Sequence, residues 1–386
     1  MKIVADENIV AVAERYRQHG ELHLLPGRAI GPAAVKDADV LLVRSITRVD
    51  RALLAGSRVR FVATATSGTD HLDLPWLAEQ GIAVFEAAGS NANAVVEYVL
   101  AVLAELHCRG ISIQGRTAAI VGFGQVGSRL HAALQTLGLE VRVCDPLVEA
   151  DWRKKGIPAP VSFCGLDEAL EAALITLHTP LVRHAAHPTW HLLEHSRLAA
   201  LREGTVLINA ARGAVVSNAA LLSRLQQRAD LHCVLDVWEN EPTISMPLLQ
   251  AVTLGTPHIA GYSVEAKSSA SERNYQDFLR HFALTDSRRS DTTQVVRTRL
   301  NVDLATARSQ LDALALCLRA VFPVAQIDAQ LREQTADAQV FDAIRQRLSA
   351  RREFAHYTLQ CENLGEEVDR AALGATLTAL GFSLVF

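Results

Sequence analysis

The sequence has 386 residues, of which 49% are hydrophobic and 21% charged, so it can bury ordinary cores and is not a disordered chain. Its formal net charge of -4 argues against nucleic acid as the main partner, because phosphate binding requires a basic surface. No apolar run approaches the roughly 18 residues of a membrane span, and no CxxC pair occurs, so we expect no membrane partner and a reduced, cytoplasmic protein.

The first ninety or so residues alternate short apolar runs with amphipathic stretches of helical length. We predict strands in this region at residues 2–5, 40–43, 60–63 and 82–85. Such continuously apolar strands are typical of a parallel sheet that is covered on both faces. Polar loops, Arg44-Ser45 and residues 64–70, follow two of these strands at the edge where open α/β sheets bind ligands. Ordinary turn chemistry is the alternative explanation for these loops.

A second α/β pattern follows a mostly buried helix that we expect from Ala94 onward, with N-caps at Asn91 and Asn93. Its predicted strands lie at residues 117–121, 141–144, 174–177, 206–209 and 233–236. A helical stretch from Gly261 to about Phe282 then leads back to the first domain. We therefore expect a discontinuous domain of residues 1–93 and 263–284 that carries an inserted domain of residues 94–262.

The remaining residues, 285–386, are long enough for a small α/β domain of their own. We predict a polar linker at 285–294, two helical stretches, a strand at 354–361, a helix at 368–380 and a strand at 382–386. A basic cluster in this tail is formed by Arg345, Arg347, Arg351 and Arg352. Such a cluster is most often a solvated helix face, and anion binding at a partner subunit's cleft is the alternative.

A glycine motif of the form GxGxxG directly follows the predicted strand at 117–121 and precedes a helix that we predict from Ser128. Its glycines are Gly122, Gly124 and Gly127. In a dinucleotide site the first permits a tight turn, the second admits a pyrophosphate and the third allows close helix packing. Asp145 ends the next strand, at the usual spacing of about 20 residues. Since a carboxylate there binds ribose hydroxyls and repels a 2′-phosphate, the motif predicts NAD rather than NADP.

Three later segments each carry a charged residue that suits one step of this chemistry, namely Arg212 and Glu241 in the loops after two predicted strands and His258 further along. Oxidation of a 2-hydroxy acid requires a cation for the substrate carboxylate, and Arg212 offers a planar fork. It also requires a base for the hydroxyl proton, which suits His258, and a carboxylate that holds the imidazole, which suits Glu241. A surface ion pair, a core histidine and a turn cap are the respective alternatives. Their joint occurrence behind a dinucleotide motif favours a catalytic site.

The sequence resembles the D-isomer-specific 2-hydroxyacid dehydrogenases over about residues 1–282. The glycine motif and residues 209–213, 236–242 and 257–258 carry the resemblance. It implies an α/β fold with two doubly wound parallel-sheet domains, a Rossmann NAD domain inserted in a flavodoxin-like substrate domain. It also implies that Arg212 and Glu241 are catalytic and that His258 is the acid/base. The NAD contacts that it implies are Gln125, Val126, Asp145, Thr179, Ala210, Ala211, Arg212, Asp236 and Gly261.

The whole chain is similar to one subgroup of this family, which oxidises a small phosphorylated 2-hydroxy acid. The similar segments are residues 3–8, 25–28, 43–47, 67–73 and 258–262. The subgroup's C-terminal domain forms a homodimer, and by this resemblance Ser45, Thr66 and Tyr262 bind the substrate. Arg44 joins them because a phosphate monoester prefers arginine.

Two other functions stay open from the sequence. One is a D-3-phosphoglycerate dehydrogenase, whose third domain senses an amino acid, or another D-2-hydroxyacid dehydrogenase. The other is an NAD-sensing interaction protein, against which the complete set of Arg212, Glu241 and His258 argues. Four histidines between residues 184 and 195 have partly helical spacing, but Pro188 makes a continuous helix doubtful, so we expect no metal.

Overall fold

The computed structural model describes residues 1–112, 114–156, 159, 161–286, 297–333 and 338–385. The chain forms two compact units, the first made of Met1–Asn91 with Ser263–Gln294 and the second of Ala92–Tyr262 with Val295–Phe386. The predicted linker at 285–294 lies outside the described residues beyond Asp286.

The first unit is built on a parallel sheet of five strands. Its elements up to residue 91 are β1 (Lys2–Asp6), α1 (Val12–Tyr16), β2 (Glu21–Leu25), α2 (Pro32–Val35), β3 (Val40–Val43), α3 (Arg51–Leu54), β4 (Phe61–Thr64), α4 (Leu74–Glu79) and β5 (Ala83–Glu86). The spatial order β2-β1-β3-β4-β5 is that of flavodoxin-like doubly wound sheets. Alternate residues of β3 enter separate cores on the two faces of the sheet, which explains why this strand is apolar throughout.

The second unit begins with a larger parallel sheet of seven strands. Its elements up to residue 262 are α5 (Ala92–Cys108), β6 (Thr117–Val121), α6 (Gln125–Thr136), β7 (Glu140–Cys144), α7 (Pro146–Lys155), β8 (Ser162–Phe163), α8 (Leu166–Ala169), β9 (Leu174–Leu177), α9 (His195–Ala200), β10 (Val206–Asn209), α10 (Asn218–Gln227), β11 (His232–Leu235), α11 (Met246–Ala251) and β12 (Leu254–Gly255). The order β12-β11-β10-β9-β6-β7-β8 is the Rossmann order with one further strand. The strand order reverses between β6 and β9, so the ligand crevice of such a fold lies at their carboxyl ends.

The predicted return helix is α12 (Val264–His281), which belongs to the first unit. The side chain of Ser263 caps it by accepting a hydrogen bond from the N–H of Ala266. Tyr275 and Phe278 on its buried face join the core that contains Ile3 of β1. Residues that precede the second sheet in the sequence and residues that follow it therefore share one core in the first unit.

The C-terminal residues form a small parallel sheet whose core is continuous with that of the second unit. Its elements are β13 (Thr298–Asp303), α13 (Gln310–Val321), α14 (Val324–Glu333), α15 (Ala338–Arg347), β14 (Tyr357–Glu362), α16 (Arg370–Ala379) and β15 (Ser383–Val385). The Asp328 carboxylate on α14 accepts a hydrogen bond of 2.7 Å from the N–H of Gly255 on β12. The division of this unit into domains at 94–262 and 285–386 stays a prediction.

The sequence pattern fails to predict β2, β8, β12 and β13. Two of them, β8 and β12, have only two residues each, and β2 and β13 are partly exposed edge strands that carry charged side chains. Two helices begin earlier than expected, α5 at Ala92 and α6 at Gln125. Because Gly122 completes the turn at a φ of +97°, α6 can begin directly after Gly124.

Among the described residues, no single helix has both the length and the apolar character needed to cross a membrane. The bent pair α13 and α14, at 54° to each other, meets those two criteria only when its helices are taken together.

Candidate active site

The glycine motif makes the close approaches that its sequence predicts. A Cβ atom on Gly122 would lie 2.7 Å from the carbonyl carbon of His178, and one on Gly127 would collide with the carbonyl oxygen of Gly122. A Cβ on Gly124 would meet no described atom within 4 Å, so this glycine faces open space. The first and third glycines thus pack the loop against β9 and α6, while the second leaves its backbone accessible to a ligand.

Asp145 connects the glycine loop to the helix that follows β7. One of its carboxylate oxygens accepts a hydrogen bond of 2.8 Å from the N–H of Phe123. The other accepts one of 3.1 Å from the N–H of Val148 and caps α7. The carboxylate is half-buried beside the loop, where it has further lone pairs for ribose hydroxyls.

Unsatisfied buried polar atoms beside the glycine loop fit a dinucleotide. The Thr179 hydroxyl and Nδ1 of His178 are buried and have no hydrogen-bond partner among the described residues. Burial lowers the pKa of His178 to about 3, and its Nε2 lies 2.8 Å from the Thr176 hydroxyl. A buried hydroxyl without a partner costs free energy, so a ligand that supplies the missing hydrogen bond is favoured here.

The other predicted NAD contacts also follow the carboxyl ends of strands of the second sheet. They are Gln125 and Val126 after β6, Ala210, Ala211 and Arg212 after β10, Asp236 after β11 and Gly261 after β12. Gln125 is exposed, and Arg212 and Gly261 are half-buried. Asp236 is fully buried and interacts with protein groups.

Asp236 holds the loop that carries His258. Its carboxylate accepts hydrogen bonds from the Thr256 hydroxyl at 2.7 Å, from the N–H of Ile259 at 2.8 Å and from the N–H of Ala260 at 2.9 Å. Burial raises the pKa of Asp236, and these donors and the nearby His258 oppose that rise. No sequence pattern identified Thr256, whose hydroxyl also lies 2.7 Å from that of Tyr98. The Asp236 carboxylate thus shapes the backbone around His258.

His258 and Glu241 are in direct contact. Nδ1 of the imidazole lies 2.7 Å from Oε2 of Glu241, whose Oε1 accepts a hydrogen bond of 2.7 Å from the N–H of Trp238. Burial favours a higher pKa for Glu241, but the charge and hydrogen bond of His258 and the N–H of Trp238 outweigh it and keep the pKa below its ordinary value. An ionised carboxylate only accepts, so Nδ1 carries the proton and Nε2 is left as the acceptor. The backbone of His258 is left-handed, with a φ of 53°.

The backbone around Arg212 is fixed by the amide of Asn209 at the end of β10. This amide donates to the carbonyl of Arg212 at 3.0 Å and accepts from the N–H of Ala211 at 3.1 Å. A Cβ on the adjacent Gly213 would collide with the backbone of Trp238, so glycine lets the loop after β10 pass against the loop after β11. Gly213, the residue after Arg212, thereby packs against the start of the Trp238–Glu241 turn.

The substrate residues predicted in the first unit follow two neighbouring strands. Arg44 and Ser45 follow β3, and Thr66 follows β4. Nε of Arg44 donates to the buried carboxylate of Asp6 at 2.8 Å, and Ser45 is exposed. The Thr66 hydroxyl lies 2.8 Å from that of Thr64. These three residues therefore share one edge of the first sheet.

The basic cluster at 345–352 is not simply a solvated face. The side chain of Arg351 is only 6% exposed, and its Nη1 pairs with Glu97 at 2.8 Å while its Nε donates to the carbonyl of Tyr262 at 2.7 Å. Arg347 is exposed, whereas Arg345 is half-buried. The expectation of one solvated helix face is wrong for Arg351 because a buried carboxylate and a carbonyl bind its guanidinium.

No group of three or more His, Cys, Asp or Glu residues in the described part of the chain could hold a metal ion. In the predicted histidine stretch, His191 instead contacts Glu239, with 2.7 Å between Nε2 and Oε1.

Residues 93–260 match the D-isomer specific 2-hydroxyacid dehydrogenase, NAD binding domain, and residues 297–381 match a domain of unknown function (DUF3410). The chain is 43% identical over its whole length to the erythronate-4-phosphate dehydrogenase of Pseudomonas entomophila (strain L48), covering 99% of that protein. It is 41% identical to the enzyme of that name from Yersinia pestis (strain Pestoides F), with 99% of each chain covered.

Solved structures of lower identity share the fold. An NAD-dependent formate dehydrogenase from Staphylococcus aureus in complex with NAD has a TM-score of 0.61 at 23% identity, covering 73% of this chain and 96% of that one. A 3-phosphoglycerate dehydrogenase from Entamoeba histolytica with bound NAD+ has a TM-score of 0.60 at 22% identity, covering 76% and 99%.

Proposed function

Because this chain belongs to the D-isomer-specific 2-hydroxyacid dehydrogenase family, and within it to the erythronate-4-phosphate dehydrogenases, we propose that it oxidises 4-phospho-D-erythronate with NAD. The product is (R)-3-hydroxy-2-oxo-4-phosphooxybutanoate, in the biosynthesis of pyridoxine 5′-phosphate from D-erythrose 4-phosphate. The observation that carries the proposal is the contact of 2.7 Å between His258 and Glu241, at the sheet edge that also bears the glycine loop.

Residues 93–260 form an NAD-binding domain, and NAD supplies the acceptor for the two electrons removed from the substrate. We assign Gly124 and the N-terminus of α6 to the pyrophosphate, because that backbone is accessible and helix N-termini bind anions. Asp145 takes the ribose hydroxyls, and Thr179 supplies a hydroxyl that otherwise lacks a partner in the described chain.

In the proposed reaction His258 accepts the C2 hydroxyl proton on Nε2 as the carbonyl forms. Glu241 holds the ring in the required tautomer and stabilises the imidazolium that results. Arg212 binds the substrate carboxylate and polarises the reacting oxygen with its planar guanidinium. Each of these three catalytic roles belongs to a side chain that follows a different strand or turn of the second sheet.

The decisive assay is NADH formation after 4-phospho-D-erythronate is added to the purified protein, with the 2-oxo acid trapped because alcohol oxidation is unfavourable. Unphosphorylated erythronate and D-3-phosphoglycerate are the comparison substrates. We expect the largest kcat/KM for 4-phospho-D-erythronate. Equal or faster turnover of D-3-phosphoglycerate would favour the rival dehydrogenase, and no turnover of any 2-hydroxy acid would favour an NAD-sensing interaction protein.

Asp145→Ser is expected to change the cofactor preference. Serine can still cap α7 but has no charge, so repulsion of a 2′-phosphate is lost. We expect the ratio of kcat/KM for NADP to that for NAD to rise roughly 10- to 100-fold. Asp151→Ser, on an exposed position of α7, is the matched control and should leave the ratio unchanged. An unchanged ratio in Asp145→Ser would contradict the proposed role.

Glu241→Gln is expected to shift the pH profile of substrate oxidation. A neutral amide stabilises the imidazolium of His258 less than a carboxylate does. The acid limb of kcat/KM should therefore move to lower pH by about one unit, and kcat should fall. A lower kcat with an unmoved acid limb would mean that Glu241 does not act through His258.

We further propose that residues 285–386 mediate a homodimer and that the enzyme works in the cytoplasm. The separate match of residues 297–381 to a domain family supports a distinct role for this part of the chain. Light scattering of the full-length protein tests the dimer, and a monomeric mass at micromolar concentration would contradict it.

A further inference from the structure

Arg345 lies over the aromatic ring of Tyr262, with its Cζ 5.1 Å from the ring centroid. Tyr262 is on the loop of His258, and its N–H donates to the carbonyl of Ile259 at 2.8 Å. The same residue's carbonyl oxygen accepts the hydrogen bond from Arg351. Arg345 is therefore held beside the proposed catalytic loop by residues of its own chain.

The guanidinium of Arg345 is incompletely satisfied by the described residues. Its Nη1 lies 3.3 Å from the Asp342 carboxylate, a half-exposed pair three residues apart on α15, and such pairs contribute little. Its Nε is buried and has no hydrogen-bond partner among the described residues. The side chain as a whole is 20% exposed, so part of it is open to a ligand. A partly desolvated cation of this kind gains free energy from an additional anion.

The proposed substrate carries more negative charge than Arg212 alone can balance. Its phosphate has nearly two negative charges, and its carboxylate adds another. Arg212 is assigned to the carboxylate and His258 to the hydroxyl proton, so other cations must bind the phosphate. Arg44 is the other arginine predicted there, and its Nε already donates to the Asp6 carboxylate. Arg345 is near enough to the catalytic pair that its charge helps to lower the pKa of Glu241.

We propose that Arg345 binds the phosphate of the substrate and so determines the preference for phosphorylated 2-hydroxy acids. The inference rests on the proposed function and adds a specificity residue from the C-terminal part of the chain. The planar guanidinium can donate two parallel hydrogen bonds to phosphate oxygens, and stacking on Tyr262 restricts its orientation.

The first test compares phosphorylated and unphosphorylated erythronate as substrates of Arg345→Gln. We expect kcat/KM for the phosphorylated acid to fall roughly 10- to 100-fold, the loss of a charge-assisted hydrogen bond, mainly through KM. The value for the unphosphorylated acid should change less than about threefold. Arg345→Lys should retain part of the preference, because it keeps the charge but not the fork. Equal losses on both substrates would indicate a positioning role toward Tyr262 or Glu241 and overturn the proposal.

The second test measures binding without turnover. Inorganic phosphate is titrated calorimetrically into protein saturated with NAD, which excludes phosphate from the pyrophosphate site. We expect Arg345→Gln to weaken phosphate binding at least tenfold and to leave the binding of oxalate, a carboxylate probe, within about twofold. Arg347→Gln removes an exposed charge from the same helix and should change neither. Unchanged phosphate binding in Arg345→Gln would overturn the proposal. A protein that binds phosphate through Arg345 but forms no NADH would contradict only the proposed function.

Discussion

His258→Asn is expected to lower kcat for oxidation of 4-phospho-D-erythronate by about 10²- to 10⁴-fold, the contribution of a general base. Asparagine cannot accept the hydroxyl proton, but it is among the residues that tolerate a left-handed backbone, and the φ of His258 is 53°. The loop should therefore keep its conformation, since the Asp236 carboxylate holds it through backbone N–H groups. Steady-state kinetics measures the loss of kcat, and an NAD titration tests whether the loop is preserved. NAD affinity should change little.

The chain offers a matched control for this substitution in His191. It also has a left-handed backbone, with a φ of 49°, and its imidazole also contacts a glutamate, Glu239, at 2.7 Å. His191→Asn should keep kcat within about threefold of the unchanged protein, because its imidazole has no proposed part in proton transfer. More than a tenth of the original kcat in His258→Asn, or an equal loss in His191→Asn, would contradict the assignment of the base.

The central strands of both larger sheets could be predicted because they are buried on both faces and therefore apolar throughout. β3, β4, β9 and β10 illustrate this. The edge strand β13 could not, because exposed side chains such as Arg299 interrupt its apolar pattern. A strand that is buried on both faces has a continuous apolar pattern in the sequence, whereas an exposed edge strand does not.

The candidate site could be predicted where the chemistry requires a charged side chain in the segments that follow the glycine motif. Arg212, Glu241 and His258 carry that signal, and the structure brings the last two into contact. The role of Asp236 as a clamp could not be predicted, because two of its partners are backbone N–H groups of Ile259 and Ala260. The position of a charged residue in the sequence marks it as a candidate. Its hydrogen-bond partners depend on the conformation of the loop, which the sequence pattern does not predict.

The contacts that the C-terminal residues make could not be predicted from the sequence, for another reason. Arg345 and Arg351 lie in one basic cluster, and charge patterning treats them alike. In the structure one stacks on the ring of Tyr262 and the other binds its carbonyl. Through these two contacts the C-terminal part of the chain packs directly against the His258 loop.

Above about pH 8, where Glu97 is ionised, Arg351→Met is expected to destabilise the second unit by about 3–5 kcal/mol, the cost of breaking a buried ion pair by removing one partner. The guanidinium pairs with Glu97, binds the Tyr262 carbonyl and stacks on Phe322, with its Cζ 4.4 Å from the ring centroid. Among the described residues, Glu97 would keep only the N–H of Phe354, at 2.7 Å, as a donor. Urea unfolding measures the change in stability, and KM should also rise because the Tyr262 backbone is released.

The destabilisation should depend on pH in a defined direction. Burial raises the pKa of Glu97 to about 8, and Arg351 and the Phe354 N–H oppose that rise. Without Arg351 the native carboxyl keeps its proton to higher pH, while the unfolded carboxyl is ionised above its ordinary pKa near 4.5. Above pH 8 the folded variant therefore holds a proton that the folded parent protein has lost, while the unfolded chains are both ionised. The stability of the variant thus falls more steeply with rising pH than that of the parent. The loss should be larger near pH 9 than near pH 6.

A double-mutant cycle separates the ion pair from the packing of Arg351. Glu97→Gln combined with Arg351→Met removes both charges, and the double variant should recover part of the stability lost in Arg351→Met. Arg347→Met, an exposed position of the same basic cluster, should change stability by no more than about 0.5 kcal/mol. A loss that is independent of pH and additive in the cycle would mean that Arg351 stabilises the unit through its contacts with Phe322 and Tyr262 rather than through Glu97.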